Sequence, residues 1–447
     1  MTFVRKHLNR LELNPPRFLV AGFGALIILG AILLNLPIAT NDDASIGFIN
    51  ALFTSASAVC VTGLTVVNTA EYWSLFGKII ILILIQIGGL GFMTSATIMA
   101  LLIGKKISLK ERLIIKEQLN QDALSGMVRL TKYVILSTFM IESIGAIFLS
   151  TRFIPRFGLA KGIWFSIFHA ISAFCNAGFD IIGNSMVSFV GDFTINITIC
   201  LLIIIGGLGF SVLIDISNKK SFKRLSLHSK LVLSISFMLI LIGMLIIFVV
   251  ERNNPDTLAE LSNGEKVLAS FFQGVIPRTA GFNSIDISKI YDTTAFIMII
   301  LMFIGGSPGS TAGGIKTTTF GATLLTTLAV IRGNKDVVAF NRRLNQDIIN
   351  RSLAIVSIGL ILILTVSIVL TITEEFSFLD VLFETTSAFG TVGLTRGITP
   401  NLSDVGKLVI TLTMYAGRVG PLTMAFAFAQ RQKQSLYRHS EENIIVG

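Results

Sequence analysis

Eight stretches of this chain, at about residues 16–37, 74–104, 130–152, 190–216, 230–250, 291–331, 348–373 and 404–430, are apolar over nearly their whole length. Each is long enough to cross a hydrocarbon core, which takes about 20 helical residues. Nothing else in the sequence narrows the fold as much. Lipid offers no partner for a peptide N–H or C=O, so a spanning segment must satisfy its own backbone as a helix. Four shorter apolar stretches lie between them, at about 49–60, 163–175, 266–278 and 377–389. These are too short to cross and are expected to be re-entrant half-helices. Only 14% of residues are charged and 52% are hydrophobic, against about a quarter charged in soluble domains. The expected class is an all-α, polytopic membrane protein.

The positive charge is ordered. Lys and Arg gather in the arm before the first span (Arg5, Lys6, Arg10, Arg17) and in alternate linkers, as with Lys105, Lys106 and Lys110, Lys219, Lys220 and Lys223, and Arg342, Arg343 and Arg351. They appear again in the tail (Arg431, Lys433, Arg438). With eight spans all five clusters lie on one side, which the positive-inside rule makes cytoplasmic, with both termini there. The net charge of +10 is therefore a membrane signature and not a nucleic-acid footprint. The N-terminal stretch lacks a small-residue cleavage site and reads as a basic arm rather than a signal peptide. Cys60, Cys175 and Cys200 are too few and too scattered for a disulfide framework or metal cluster.

An internal repeat organises the chain. "SAVCVTGLT" (57–65), "SAFCNAGFD" (172–180), "VIPRTAGFN" (275–283) and "SAFGTVGLT" (387–395) each follow a short apolar stretch and reach a glycine: Gly63, Gly178, Gly281 and Gly393. A second series follows at "IGGLGF" (87–92), "IGGLGF" (205–210), "IGGSPGS" (304–310) and "AGRVGPL" (416–422). The offsets from loop glycine to the first glycine of the second series are 25, 28, 24 and 24. The expected unit is span, half-helix, glycine loop, span. The four units are 1–104, 105–217, 218–331 and 332–430, with a tail at 431–447. Each unit starts and ends inside, so the copies are parallel and can close into a pseudo-fourfold ring. Non-helical backbone at membrane depth survives only when buried or lining water, so four such loops on one axis predict a pore.

Extended backbone at glycine can aim successive carbonyls at a dehydrated monovalent cation. Half-helices entering from outside would bring their negative C-terminal ends toward the same point. The loops carry no ring of acids, as a divalent-cation pore would need. The plain alternative is that the glycines only let helices approach closely, and it weighs most for the second series.

The motifs "VCVTGLTV", "FCNAGFD", "RTAGFN", "GTVGLT" and "GGSPGSTAGGIKTTT" resemble the membrane subunits of Ktr potassium uptake systems, in the Trk/Ktr/HKT superfamily, and the likeness runs over essentially the whole chain. The resemblance implies a potassium-channel-like, four-unit pore for K+ uptake. It places the selectivity filter at the aligned glycines: Val61, Thr62 and Gly63; Asn176, Ala177 and Gly178; Thr279, Ala280 and Gly281; Thr391, Val392 and Gly393, with K+ at the four glycines. It also implies a bacterial cell membrane, a homodimer, and a cytosolic RCK-type (KtrA-like) ring that carries ATP or ADP. No cofactor bound to this chain is implied. Na+ stimulation is common in the family, but no sodium site is assignable from the residues.

The sixth apolar stretch is uncharged from Thr293 to Val330 except at Lys316, nearly twice the length a crossing needs. Pro308 removes a donor, and Gly305, Gly306, Gly309, Gly313 and Gly314 weaken a helix. Ser307, Ser310, Thr311 and Thr317 can satisfy freed backbone groups. With Ala312, residues 305–317 are expected to form an intramembrane gate just cytoplasmic of the filter, Lys316 adding repulsion. A packing site with Lys316 snorkelling is the plain alternative. Arg418 sits inside the last span, in the slot of Gly89 and Gly207, either as a tie to this loop or as part of the gate. Glu384 is expected to start and cap the last half-helix. Asp180 and Asn283 are expected to hold the outer mouth, and Arg278 to orient its filter loop. Glu142 and Asp215 are expected to pair locally.

"GSTAGGIKTT" only approximates a phosphate-binding loop: Ile315 splits Gly314 from Lys316 and no strand precedes it. No HExxH, CxxC pair, acid dyad or nucleophile elbow occurs, and an enzyme is not expected. The main rival is an obligately Na+-coupled K+ symporter with alternating access, a class that also uses broken helices, often in inverted repeats. No nucleotide-binding domain appears, so regulation must come from another chain. Linkers 105–130, 219–230 and 332–351 are the candidate docking surfaces, and the tail "EENIIVG" a candidate dimer contact. Lipid is the remaining partner.

Overall fold

The computed structural model describes residues 15–91 and 127–428, with three isolated positions in the tail. The N-terminal arm, the end of the second apolar stretch, the first basic linker up to residue 126 and the tail sequence "EENIIVG" as a unit lie outside the described residues.

Helices dominate because nearly every segment between turns is apolar and free of breakers. Helix α1 (Pro15–Leu34) packs on the short α2 (Phe48–Val59), which a loop joins to α3 (Leu75–Leu90). The same order recurs in α4 (Met127–Phe157), α5 (Leu159–Phe174) and α6 (Phe193–Leu208), with α7 (Phe210–Lys219) continuing the last. It recurs again in α8 (Leu227–Glu251), α9 (Asn263–Val275), α10 (Asp292–Phe303) and α11 (Thr317–Ile331). The final set is α12 (Gln346–Thr373), α13 (Phe378–Gly390), α14 (Asp404–Val419) and α15 (Pro421–Phe428). Polar caps set the starts. Ser74, Asp192, Ser226, Ser377 and Ser403 each accept an amide of the first turn, and Ser262 with Glu265 forms a reciprocal capping box. The only strands among the described residues are β1 (Val338–Ala339) and β2 (Arg342–Arg343), an antiparallel hairpin turned by Phe340 and Asn341 at positive φ.

Among the described residues, four helices are long and apolar enough to cross a membrane: α1, α4, α8 and α12. A fifth crossing results if α6 and α7, bent by 96° to each other, count as one. The helices that follow the short ones end or bend at glycines. Gly91 at φ 82° ends α3, Gly209 at φ 91° separates α6 from α7, and Gly420 at φ 94° separates α14 from α15. Such a φ is open to glycine and strained for other residues. The 16 residues of α3 span about 24 Å at 1.5 Å per residue, short of the ~30 Å hydrocarbon core. In the third set the matching slot holds Pro308, which cannot take positive φ. There the break is instead a stretch without helix from Ile304 to Lys316.

One apolar core runs through the centre, with Phe53, Phe168, Phe174, Phe272, Phe282 and Phe383 fully buried. The outer faces are apolar as well: Leu136, Phe237, Ile361 and Ile372 are 74%, 69%, 63% and 80% exposed. Rows of such residues suit lipid as the surrounding solvent.

Candidate functional site

The short helices α2, α5, α9 and α13 all end at the same place, and that place is the centre of the molecule. Each is followed by a residue in the left-handed region, Val61 (φ 51°), Asn176 (57°), Thr279 (69°) and Thr391 (52°), then two residues later by a positive-φ glycine: Gly63, Gly178, Gly281 or Gly393. The alternation turns the backbone so that carbonyls of one loop face the next. A Cβ placed on Gly63 would lie 2.5 Å from Ala177 O, one on Gly178 2.9 Å from Ala280 O, and one on Gly281 2.9 Å from Val392 O. One on Gly393 would collide with Thr62 O. Each glycine thus abuts the carbonyl preceding the glycine of the next loop, around a closed circle of four. Across the circle, a Cβ on Gly281 would stand 3.3 Å from Thr62 O. The structure brings all four predicted glycines together, and a Cβ at any of them requires its neighbours to shift.

Four helix C-termini converging on one point concentrate partial negative charge there. Backbone oxygens in that setting can replace the hydration of a small cation without any ionised ligand. The acids nearest the loops are already engaged. Asp180 accepts from His169 Nε2 at 2.9 Å and from the amides of Ile182, Gly183 and Ser185 at 2.7–2.9 Å. Burial would raise its carboxyl, but these hydrogen bonds hold it below the usual range.

Serines that sequence reasoning passed over fasten the loops. Six residues before the glycine stand Ser57, Ser172 and Ser387. Gly63 N donates to Ser57 Oγ (3.0 Å), Gly393 N to Ser387 Oγ (3.1 Å), and Ser172 Oγ donates to Phe179 O (2.8 Å). The backbone carbonyls of the same serines accept from Thr62, Val392 and Ala177 at 2.8 Å each. The third loop has Val275 in that slot and instead hydrogen-bonds Ala280 N to Ile276 O (3.1 Å). The serine recurring in three of four repeats was the available signal.

The stretch from Ile304 to Lys316 packs against this circle, with Thr311 at Asn176 and Gly313 at Thr391. It closes on itself through Gly305 N to Ile315 O (2.9 Å), Thr317 N to Gly306 O (3.0 Å) and Ser307 Oγ to Thr317 Oγ1 (3.0 Å). It also engages the other three sets. Ser307 N and Thr311 N donate to Gly207 O and Gly206 O, Phe210 N donates to Gly309 O, and Thr311 Oγ1 reaches Asn176 Oδ1 at 3.2 Å. Cβ atoms on Gly313 and Gly314 would meet Thr391 and Gly390. Arg418 donates through Nη1 to Thr311 O and through Nη2 to Gly88 O and Gly89 O, the last at 3.1 Å. These bonds join the last set to the loop and to the first set. Ser310 Oγ caps Ser307 O (2.6 Å), and Lys316 turns its ammonium back onto Ala312 O (2.7 Å). Pro308 O fills the angle at Gly209, where a Cβ would lie 2.6 Å away.

The second-series glycines mostly serve close packing. Cβ atoms on Gly88, Gly206 and Gly417 would collide with Val59 O, Phe174 O and Phe389 O, carbonyls at the C-terminal ends of the short helices. Gly305 faces Gly313 of its own loop instead. Asn283 links the second and third outer loops, its N donating to Ser185 Oγ (3.0 Å) and its O accepting from Met186 N (2.9 Å). Arg278 reaches Gly305 O at 3.4 Å, and its own carbonyl accepts from Asn176 Nδ2 at 3.3 Å. Glu384 does not start α13, as had been expected. Ser377 caps that helix, while Glu384 lies in its middle, fully buried and accepting from Thr399 Oγ1 at 2.5 Å. Asp215 pairs locally with Lys219 at 2.7 Å, but Glu142 takes its hydrogen bond from Gln86 of the first set, at 3.1 Å.

A helical bundle with lipid-suited flanks and a central circle of backbone loops defines a membrane transport protein. The fold is that of the crystal structure of the potassium transporter TrkH from Vibrio parahaemolyticus, with a TM-score of 0.70 over 92% of this chain and 83% of that one, at 17% identity. The chain belongs to the TrkH family of cation transport proteins, whose model matches residues 23–439, and is a transporter and not an enzyme. It is 46% identical over 99% of both chains to the Ktr system potassium uptake protein B of Bacillus subtilis. It is 43% identical over the full length of both to the potassium/sodium uptake protein NtpJ of Enterococcus hirae, and 40% identical, over 97% of this chain and 95% of the relative, to the Ktr system protein B of Vibrio alginolyticus.

Proposed function

We propose that this chain is the membrane subunit of a Ktr-type system and carries K+ into the cell through a carbonyl-lined filter at Gly63, Gly178, Gly281 and Gly393. The observation that carries this reading is the closed circle in which each glycine abuts a carbonyl of the next loop. K+ sheds water and binds main-chain oxygens of residues 61–63, 176–178, 279–281 and 391–393. The four parallel units are 1–104, 105–217, 218–331 and 332–430. Recurrence of the left-handed residue two positions before each glycine supports the repeat.

The loop 305–317 closes the path on the cytoplasmic side of the filter, and Arg418 holds it closed. Two such subunits sit on a cytosolic RCK-type ring whose ATP or ADP state releases the loop. The hairpin β1–β2, within linker 332–351, offers a rigid, arginine-bearing contact for that ring. The membrane is the bacterial cell membrane, with both termini inside, and Na+ acts as a stimulant.

The test is potassium uptake by cells lacking their own systems and carrying this chain with its regulatory partner. Uptake from low external K+ is expected, and Gly→Ser at any of the four positions is expected to lower K+ preference over Na+. Unchanged uptake and unchanged ion preference in all four variants would remove the filter reading. A fixed Na+:K+ flux ratio would instead establish the coupled symporter.

A further inference from the structure

His169 lies in the middle of α5 with no exposed surface. Its ring is enclosed by Phe153 of α4, Phe165 and Phe168 of its own helix, and Phe282, the residue after Gly281, with centroids 5.7–6.3 Å apart. Both ring nitrogens face acceptors: Nδ1 is 2.7 Å from Phe165 O and Nε2 is 2.9 Å from Asp180 Oδ1. Asp180 follows Gly178 by two residues, and its other contacts are the three amides of the turn 182–185. That turn joins the outer loops of the first three units, through Asn68 Nδ2 to Gly183 O (3.3 Å) and Asn283 N to Ser185 Oγ (3.0 Å).

The register of His169 has a counterpart. It stands nine residues before Gly178, and nine residues before Gly393 stands Glu384. Glu384 is also fully buried and reaches the chain beyond its glycine, accepting from Thr399 Oγ1 at 2.5 Å. The equivalent residues of the other units are Thr54, whose hydroxyl bonds back to Asn50 O, and Phe272, which has no polar group. Two opposite loops of the circle are therefore propped by a side chain from the short helix, one by a donor and one by an acceptor.

We propose that His169, acting through Asp180, and Glu384, acting through Thr399, are positioning residues that set the spacing of opposite filter loops and so the preference for K+ over Na+. This deepens the filter reading and rests on it. A strut of this kind fixes the return path of the backbone after the glycine, and hence the distance between carbonyls on opposite sides.

The test measures initial K+ and Na+ uptake in the same cells, per amount of full-length chain in the membrane. H169L and E384L are each expected to lower the K+/Na+ ratio about tenfold, the scale of a lost charge-assisted hydrogen bond. H169Q, which keeps a donor for Asp180, is expected to restore most of the ratio. H169L that only lowers both rates in proportion, with the ratio kept, overturns the proposal. Should H169L not reach the membrane, D180N decides by the same criterion. Gly178→Ser separates the two readings: if it shifts the ratio and the strut variants do not, the struts fail and the filter stands. If none of the four Gly→Ser variants shifts the ratio, the underlying filter assignment fails.

Discussion

The helical stretch α6–α7 and its counterpart α10–α11 are interrupted at corresponding places, and the two interruptions differ in kind. At Gly209 the chain turns by 96° with a single residue at positive φ and resumes as helix at once. In the third unit Pro308 occupies that slot, and helix is absent from Ile304 to Lys316. The first costs few backbone hydrogen bonds. The second frees a run of donors and acceptors, which must find partners wherever the stretch lies. It finds them in all three other units: Gly206 and Gly207, Asn176, and Gly88 and Gly89 by way of Arg418. A one-glycine break bends a helix, whereas a longer one produces a separate element whose place depends on contacts outside its own unit.

Deleting residues 309–314 tests that contrast most severely. Flux through the resting protein is expected to rise by at least about tenfold, because the closed arrangement loses the contacts that favour it. Equal flux before and after deletion, in both resting and activated protein, would show that the stretch is structural like Gly209. Next in size is Arg418→Ala. It strips partners from Thr311 O, Gly88 O and Gly89 O, a loss of about 3 kcal/mol. Thermal unfolding in detergent should fall by several degrees while resting flux increases. A variant as stable and as closed as the original would deny Arg418 its tie.

A matched pair of substitutions sharpens the comparison. Gly209→Ala meets both a left-handed φ and Pro308 O at 2.6 Å, whereas at Gly420 the nearest atom is Thr423 Oγ1 at 3.9 Å. Backbone strain alone costs about 1–3 kcal/mol, so Gly420→Ala should lose about that much and Gly209→Ala more. Equal losses would show that the docking of Pro308 into the bend contributes nothing. The smallest effect is expected from Lys316→Met. Its ammonium faces Ala312 O within its own loop, so resting flux should change by less than about threefold, the scale of one hydrogen bond. A much larger rise would restore the charge to a repulsive role in the gate.

The central circle was readable beforehand because it is written four times. Gly63, Gly178, Gly281 and Gly393 recur after apolar stretches too short to cross, and chance does not repeat that spacing. The third break was readable for a different reason, since proline and lysine have no use inside a lipid-facing helix. The breaks at Gly91, Gly209 and Gly420 were hidden. A glycine in "GGLG" looks the same whether it permits close packing or takes positive φ, and only the neighbouring carbonyls decide. Glu384 was misplaced because an apolar half-helix carries little sign of where its first turn lies. His169 carried no signal by itself in the sequence, since its partner Asp180 lies beyond Gly178.

The four loops around the centre belong to one polypeptide. An assembly of identical subunits must accept every change in quadruplicate, so an insertion beneath the axis would arrive four times and crowd itself out. A gene that encodes all four quarters in tandem can alter one and leave three untouched. Val275 in place of serine, Pro308 in place of glycine, and a plug-sized excursion in a single quarter are differences that only such an arrangement permits.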